Sequence, residues 1–225
     1  MEIWEPEAEA VDAKFEAAWA VFAHSCGRQW ANEPTFQAWF AHYLIGQFGF
    51  DRVGREAIFN EDRFRLRPRP RTEVKPDIVV MRKPGIMLPH YANKLAKSTD
   101  LSGIGLMRHL AVVSELKVGV STANGLDRRA IRTDIEKLSH LLDEHEYVNG
   151  TQAPLAYACV LDNHPKRRTS RVEMEELLAD AGVRPDVRLL FASPEQRPSG
   201  PSDGRLHWGV GRSPQGATES DPERG

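Results

Sequence analysis

Apolar residues recur along the first part of the chain at helical spacing. Val11, Phe15, Ala18, Trp19 and Phe22 share one face of a helix expected over about 11–24. A second helix is predicted to start at Asn32, an N-cap residue, with Glu33 and Pro34 in its first turn. Its apolar stripe is Phe36, Phe40, Tyr43, Leu44 and Phe48, and Gly49 marks its end. The pattern then turns extended, over 52–59 and again over 73–81 (EVKPDIVVM), a β-branched run stopped by Pro84-Gly85. A short apolar strand is expected at Leu110–Val118 and a long helix over about 126–146, with Ile131, Ile135, Leu138 and Leu142 on its buried stripe. Leu155–Leu161 reads as a buried strand, 172–181 as a helix ended by Gly182, and 187–191 as a last strand. Helices, three strands, helix, strand, helix, strand is the order of an α/β domain with a central mixed or largely parallel sheet flanked by helices.

Two stretches fall outside this rhythm. Residues 83–108 look like an insertion of mixed character, and the chain beyond 193 is rich in Pro, Gly, Ser and charge without any period. The expected organisation is one domain over 1–192 followed by a disordered tail, 193–225. The 225 residues suffice for one such domain, and 40% hydrophobic with 28% charged residues is ordinary for a soluble protein. The net charge of −2 means that a nucleic-acid partner, if there is one, must show itself locally. Cys26 and Cys159 match no metal spacing and read as reduced thiols of a cytoplasmic protein. The acidic N-terminal stretch is the reverse of a signal peptide, and no apolar run reaches the ~20 residues of a membrane span.

Against this background, Glu115 and Lys117 are out of place. They close an otherwise apolar strand, and because side chains alternate they point to the same side while Leu116 points to the other. A charged pair there is costly to bury without partners. Asp77, inside the expected 73–81 strand, would complete it by sharing a cation with Glu115. Two carboxylates and a backbone carbonyl suit Mg²⁺, with Mn²⁺ as a substitute, and a nearby ammonium would orient a water attacking a phosphoester.

Pro76-Asp77, a spacer, then Glu115-Leu116-Lys117 resembles the signature of the PD-(D/E)xK nuclease superfamily, and the order of elements over about 32–162 resembles its restriction-endonuclease-like core. The resemblance implies that Asp77 and Glu115 bind the metal, that the Leu116 carbonyl completes its ligands, and that Lys117 assists the nucleophile. Glu33 matches a helix glutamate that faces the active site in many members. The 38 positions between Asp77 and Glu115 exceed the spacing of compact members, and the 83–108 insertion accounts for them. Each residue has a plainer reading: a turn at Pro-Asp, a solvated pair at Glu115 and Lys117, an acidic first helical turn at Glu33.

Other polar residues attach to this centre less directly. Asp134 falls beside the buried stripe of the long helix with Lys137 further round; a helix-surface ion pair is the plainer reading, and an approach to the site the other. Arg63, Arg65, Arg67, Arg69 and Arg71 alternate through a Pro-stiffened stretch, so an extended chain would present all five to one side, for phosphate contact or as a solvated loop. Lys166, Arg167, Arg168 and Arg171 form a second basic cluster. The histidines have no zinc spacing. The expected function is a Mg²⁺-dependent endonuclease on DNA, in restriction, defence or repair, with RNA open as substrate. A homodimer is possible by analogy with relatives that cut both strands. The rival is an inactive nucleic-acid-binding or assembly protein on the same fold.

Overall fold

The computed structural model describes residues 8–60, 64–66, 73–85, 103–150, 153–180 and 184–194, all within one compact unit, Met1–Glu195. Its helices are α1 (Ala8–Cys26), α2 (Glu33–Phe48), the single turn α3 (Ile104–Met107), α4 (Arg128–Asn149) and α5 (Arg171–Asp180). Its strands are β1 (Val53–Arg55), β2 (Ile78–Met81), β3 (Leu110–Val118), β4 (Leu155–Leu161) and β5 (Val187–Ala192). They form one sheet in the order β1-β2-β3-β4-β5. The pairings β1–β2 and β2–β3 are antiparallel, and β3–β4 and β4–β5 parallel, so the sheet is mixed and the class α/β. A parallel neighbour needs a crossover, and α4 supplies it between β3 and β4.

The helix boundaries follow from their caps. Asn32 accepts a hydrogen bond from the Thr35 N–H (3.1 Å), and Gly49, at φ +92°, ends α2. Asp127 accepts from Arg129 N–H (2.9 Å) and Ala130 N–H (3.3 Å), and Gly150 ends α4 in the left-handed conformation.

Two of the expected strands are shorter. Glu56 adopts φ +51°, which breaks the 52–59 run after Arg55; pairing resumes only at the Phe59–Val74 bridge. Pro76 has no N–H to give to a ladder, and the β2 ladder begins at Ile78. Asp77 therefore stands just before β2, not inside a strand over 73–81, although its carbonyl still accepts from Glu56 N–H (3.3 Å). Of the 83–108 insertion, 86–102 lies outside the described residues; the rest includes α3. All of the tail but Ser193 and Pro194 lies outside them too. Among the described residues no helix is long and apolar enough to cross a membrane.

Both faces of the sheet are covered. Ile78, Val80, Val112, Leu116, Val118, Tyr157 and Cys159 meet the aromatic side of α1 and α2, where Phe15 stacks on Tyr157 at 4.4 Å. Val79, Val113, Ala156, Ala158 and Val160 meet Ile131, Ile135, Leu138 and Leu142 of α4. Burial on both faces is why β3 and β4 read as unbroken apolar runs. Both cysteines are free and buried.

Candidate active site

β3 carries its two charged residues on the α4 face, toward its C-terminal end. Glu115 pairs in register with Ala158, Lys117 with Val160. Ala158 is small, which leaves room above the sheet for the Glu115 carboxylate, and that carboxylate is 3% exposed. Lys137 of α4 reaches it, Nζ to Oε1 2.7 Å. Lys137 also lies 3.2 Å from Asp134 Oδ1, and Asp134 Oδ2 lies 3.0 Å from Lys117 Nζ. From the other side Glu33, in the first turn of α2, accepts from Lys117 Nζ at 2.9 Å. Asp134 and Lys137, which the sequence places at the rim of a helix, are thus ion-paired with both members of the β3 pair.

Asp77 joins from just ahead of β2. Its Oδ2 accepts the Leu116 N–H at 2.7 Å, which sets the carboxylate between Glu115 and Lys117 along the chain. Its Oδ1 accepts from Gln37 Nε2 at 2.8 Å, and Gln37 Oε1 accepts from Arg55 Nη2 at 2.9 Å. The orientation of that amide is dictated by its neighbours, since the reverse would set oxygen against carboxylate and nitrogen against guanidinium. Gln37 and Arg55 were not singled out from the sequence. The available signal was Gln37 itself: a polar residue one turn after Glu33, between Phe36 and Phe40.

The electrostatics are lopsided. Among the described residues, Glu33, Asp77, Glu115 and Asp134 face two ammonium groups, those of Lys117 and Lys137. Burial drives the Glu115 carboxyl well above the usual glutamate range, and the charge of Asp77 adds to this while Lys137 opposes it. Burial also raises Asp77, against the Leu116 N–H and the two lysines. For Lys117 burial works downward, but the charges of Asp134 and Glu33 outweigh it, and its pKa is raised. Lys137 is raised for the same reason by Glu115 and Asp134. Lys117 is therefore a firmly protonated donor and no general base.

Among the described residues no three Asp, Glu, His or Cys side chains converge tightly enough to hold a metal ion. The available oxygen ligands are two carboxylates, Asp77 and Glu115, and the Leu116 carbonyl, which lies 3.4 Å from Lys117 Nζ. That set still fits Mg²⁺, which binds through one or two carboxylates and keeps several waters. Two mutually repelling, buried carboxylates are also the kind of charge a divalent ion offsets.

Of the five alternating arginines, Arg63, Arg67, Arg69 and Arg71 lie outside the described residues. Arg65 is exposed, and its backbone is fastened: Glu144 of α4, 1% exposed, accepts the N–H groups of both Arg65 and Leu66 (2.9 Å for Leu66). Glu144 stands two helical turns beyond Lys137 on the same flank, about 10 Å along the axis. Phe64 is buried next to it, 5.1 Å from the His140 ring. Comparison with family models, with curated proteins and with solved structures gives no match.

Proposed function

We propose that this chain is a metal-dependent endonuclease hydrolysing phosphodiester bonds, with DNA as the substrate class, on a PD-(D/E)xK core of the restriction-endonuclease-like kind. The observation that carries the reading is the hydrogen bond from Leu116 N–H to Asp77 Oδ2, which ties the aspartate to the middle residue of Glu115-Leu116-Lys117. Asp77, Glu115 and the Leu116 carbonyl would hold Mg²⁺, or Mn²⁺ in its place. Bound there, the ion would lower the pKa of a water and offset charge on the phosphate.

The chain's own groups have distinct tasks. Gln37, itself held by Arg55, fixes the second oxygen of Asp77 and so its orientation. Lys117 lies at the open end of β3 and presents protons to the attacking water or a phosphate oxygen, with Glu33 and Asp134 keeping it charged and in place. Lys137 balances Glu115 in the metal-free protein and would shift toward Asp134 when a cation takes its place. Arg65, whose backbone is fastened to Glu144 on the site's flank of α4, would contact a phosphate there.

A second reading, a nucleic-acid-binding protein without catalysis, is favoured by one observation: Lys117 is already engaged by two carboxylates. Incubation with supercoiled, linear and single-stranded DNA and with RNA, in Mg²⁺, Mn²⁺ or Ca²⁺, separates the two. Cleavage in Mg²⁺ or Mn²⁺ that disappears in Glu115→Ala and Lys117→Ala is the expected result. Cleavage that survives both substitutions excludes this site, and binding without cleavage in every metal establishes the second reading.

A further inference from the structure

The loop between α1 and α2 forms an arch over the C-terminal end of the sheet, and both of its feet are fastened. At one foot the Gln29 carbonyl accepts from Asn163 Nδ2 (3.3 Å), and Asn163 Oδ1 accepts from Val120 N–H (2.9 Å), three residues past Lys117. At the other foot Asn32 caps α2 and Glu33 grips Lys117. Ala31 between them packs on the α1–α2 core. Trp30 projects from the crown of this arch with 70% of its surface in water.

That exposure forgoes the burial of one of the largest apolar side chains, on a segment held firmly enough to bury it. Three residues of chain span at most about 11 Å, so the Trp30 Cα stands within that reach of the Glu33 Cα. The two segments joined by the Gln29–Asn163 hydrogen bond both carry exposed cations. Arg28 is exposed on the same loop, and Lys166, Arg167 and Arg168 are exposed on the segment after Asn163, Arg167 steadied by Asn124 Oδ1 (3.0 Å). Phe50, still more exposed at 81%, makes a useful contrast: it precedes β1 at the opposite end of the sheet, far from these cations.

We propose that Trp30 is a stacking platform for an unpaired nucleobase, and that Arg28, Lys166 and Arg167 hold the adjoining phosphates. The substrate class is then nucleic acid with a single-stranded stretch next to the cleaved bond, such as a flap, a frayed end or a single strand. A solvent-facing indole beside guanidinium and ammonium groups has this use because every base offers a π-face, whereas in an intact duplex those faces are covered. The inference rests on the nuclease reading for its placement next to the cleaved bond, and on Trp30 and its neighbours for the ligand.

The test is binding, read by fluorescence anisotropy with the full chain in EDTA, so that it stands apart from cleavage. The probes are a labelled single strand of about 16 nucleotides, the matching blunt duplex, and single strands carrying one abasic position each. Trp30→Ala is expected to weaken single-strand binding about ten-fold or more and duplex binding less than two-fold, with Trp30→Phe retaining most of the affinity. One or two abasic positions should cost the wild type a similar factor and Trp30→Ala nothing further. Unchanged circular dichroism and thermal midpoint show that the variants are folded. The proposal is overturned if Trp30→Ala binds the single strand like the wild type. It is equally overturned if sedimentation shows a wild-type dimer that Trp30→Ala dissociates, since Trp30 would then face a second copy. Absence of cleavage by the wild type in every metal, with this binding pattern intact, would refute the nuclease reading alone.

Discussion

The two faces of β3 near its C-terminal end are built for opposite purposes. Leu116 and Val118 point into the apolar, largely aromatic layer that the sheet forms with α1 and α2. Glu115 and Lys117, one residue away in each case, point into a cluster of four carboxylates and two lysines against α4. Strand alternation lets a single element do both, because a one-residue step reverses the face. The apolar face holds the polar one in place: Leu116 anchors the strand through its side chain and fastens Asp77 through its N–H. Stability and chemistry are thus separable by substitution, even between adjacent positions.

The largest effect is expected on the apolar face. Leu116→Ala should lower unfolding free energy by about 2–5 kcal/mol in denaturant titration, while the folded fraction keeps its metal affinity because the carbonyl and N–H remain. Unaltered stability would mean that the two faces do not divide the work as described. Next comes Lys117→Ala, which should reduce the rate of cleavage by the folded protein about 10²–10³-fold while costing less stability than Leu116→Ala. A large drop in stability with a normal rate would reverse the assignment of that face. Gln37→Ala should follow, weakening Mg²⁺ binding and cleavage about ten-fold, as is usual when a group orienting a metal ligand is lost; isothermal titration with Mg²⁺ measures it.

The smallest effect concerns pH. Glu115 has a folded pKa raised above its unfolded value, about 4.3 for a glutamate. A carboxylate shifted upward contributes stability that is complete below the unfolded pKa and lost as pH rises through the folded one. In the metal-free protein the Glu115 contribution should therefore fall on going from acid toward neutral pH, and Glu115→Gln should remove that component of the pH dependence and raise the neutral-pH midpoint by a few degrees, about 1 kcal/mol. Saturating Mg²⁺ should remove it in the wild type too. An unchanged pH dependence in Glu115→Gln would assign it to other groups.

Much of this was legible in the linear pattern, for reasons that can be named. The caps at Asn32 and Gly49 and the apolar runs of β3 and β4 are local signals, and α2, β3 and β4 fall where those signals put them. Glu115 and Lys117 stood out because charge interrupts an apolar strand. Asp77 was placed inside a strand because the β-branched residues after it hide the fact that Pro76 delays the ladder. Gln37, Arg55 and Glu144 carry no signal strong enough on their own, since their roles exist only through partners distant in sequence: Gln37 with Asp77, Arg55 with Gln37, Glu144 with the Arg65 and Leu66 amides. The closeness of Lys137 to Glu115 depends on how far α4 is rotated over the sheet, which a helical wheel leaves undetermined.

The pairing of Lys117 with Glu33 also bears on how the chain acquires its structure over time. It joins residues 84 positions apart, and the Asp77–Leu116 and Gln37–Asp77 hydrogen bonds join residues 39 and 40 apart. Closing such long loops is slow relative to packing α4 against its flanking strands β3 and β4, for instance Ile131 against Val113, whose contacts are nearer in sequence. The candidate site should thus assemble late, after a sheet already half built has drawn α2 across it. Substitutions at Glu33 would then speed unfolding and leave the folding rate nearly untouched, with φ-values close to zero.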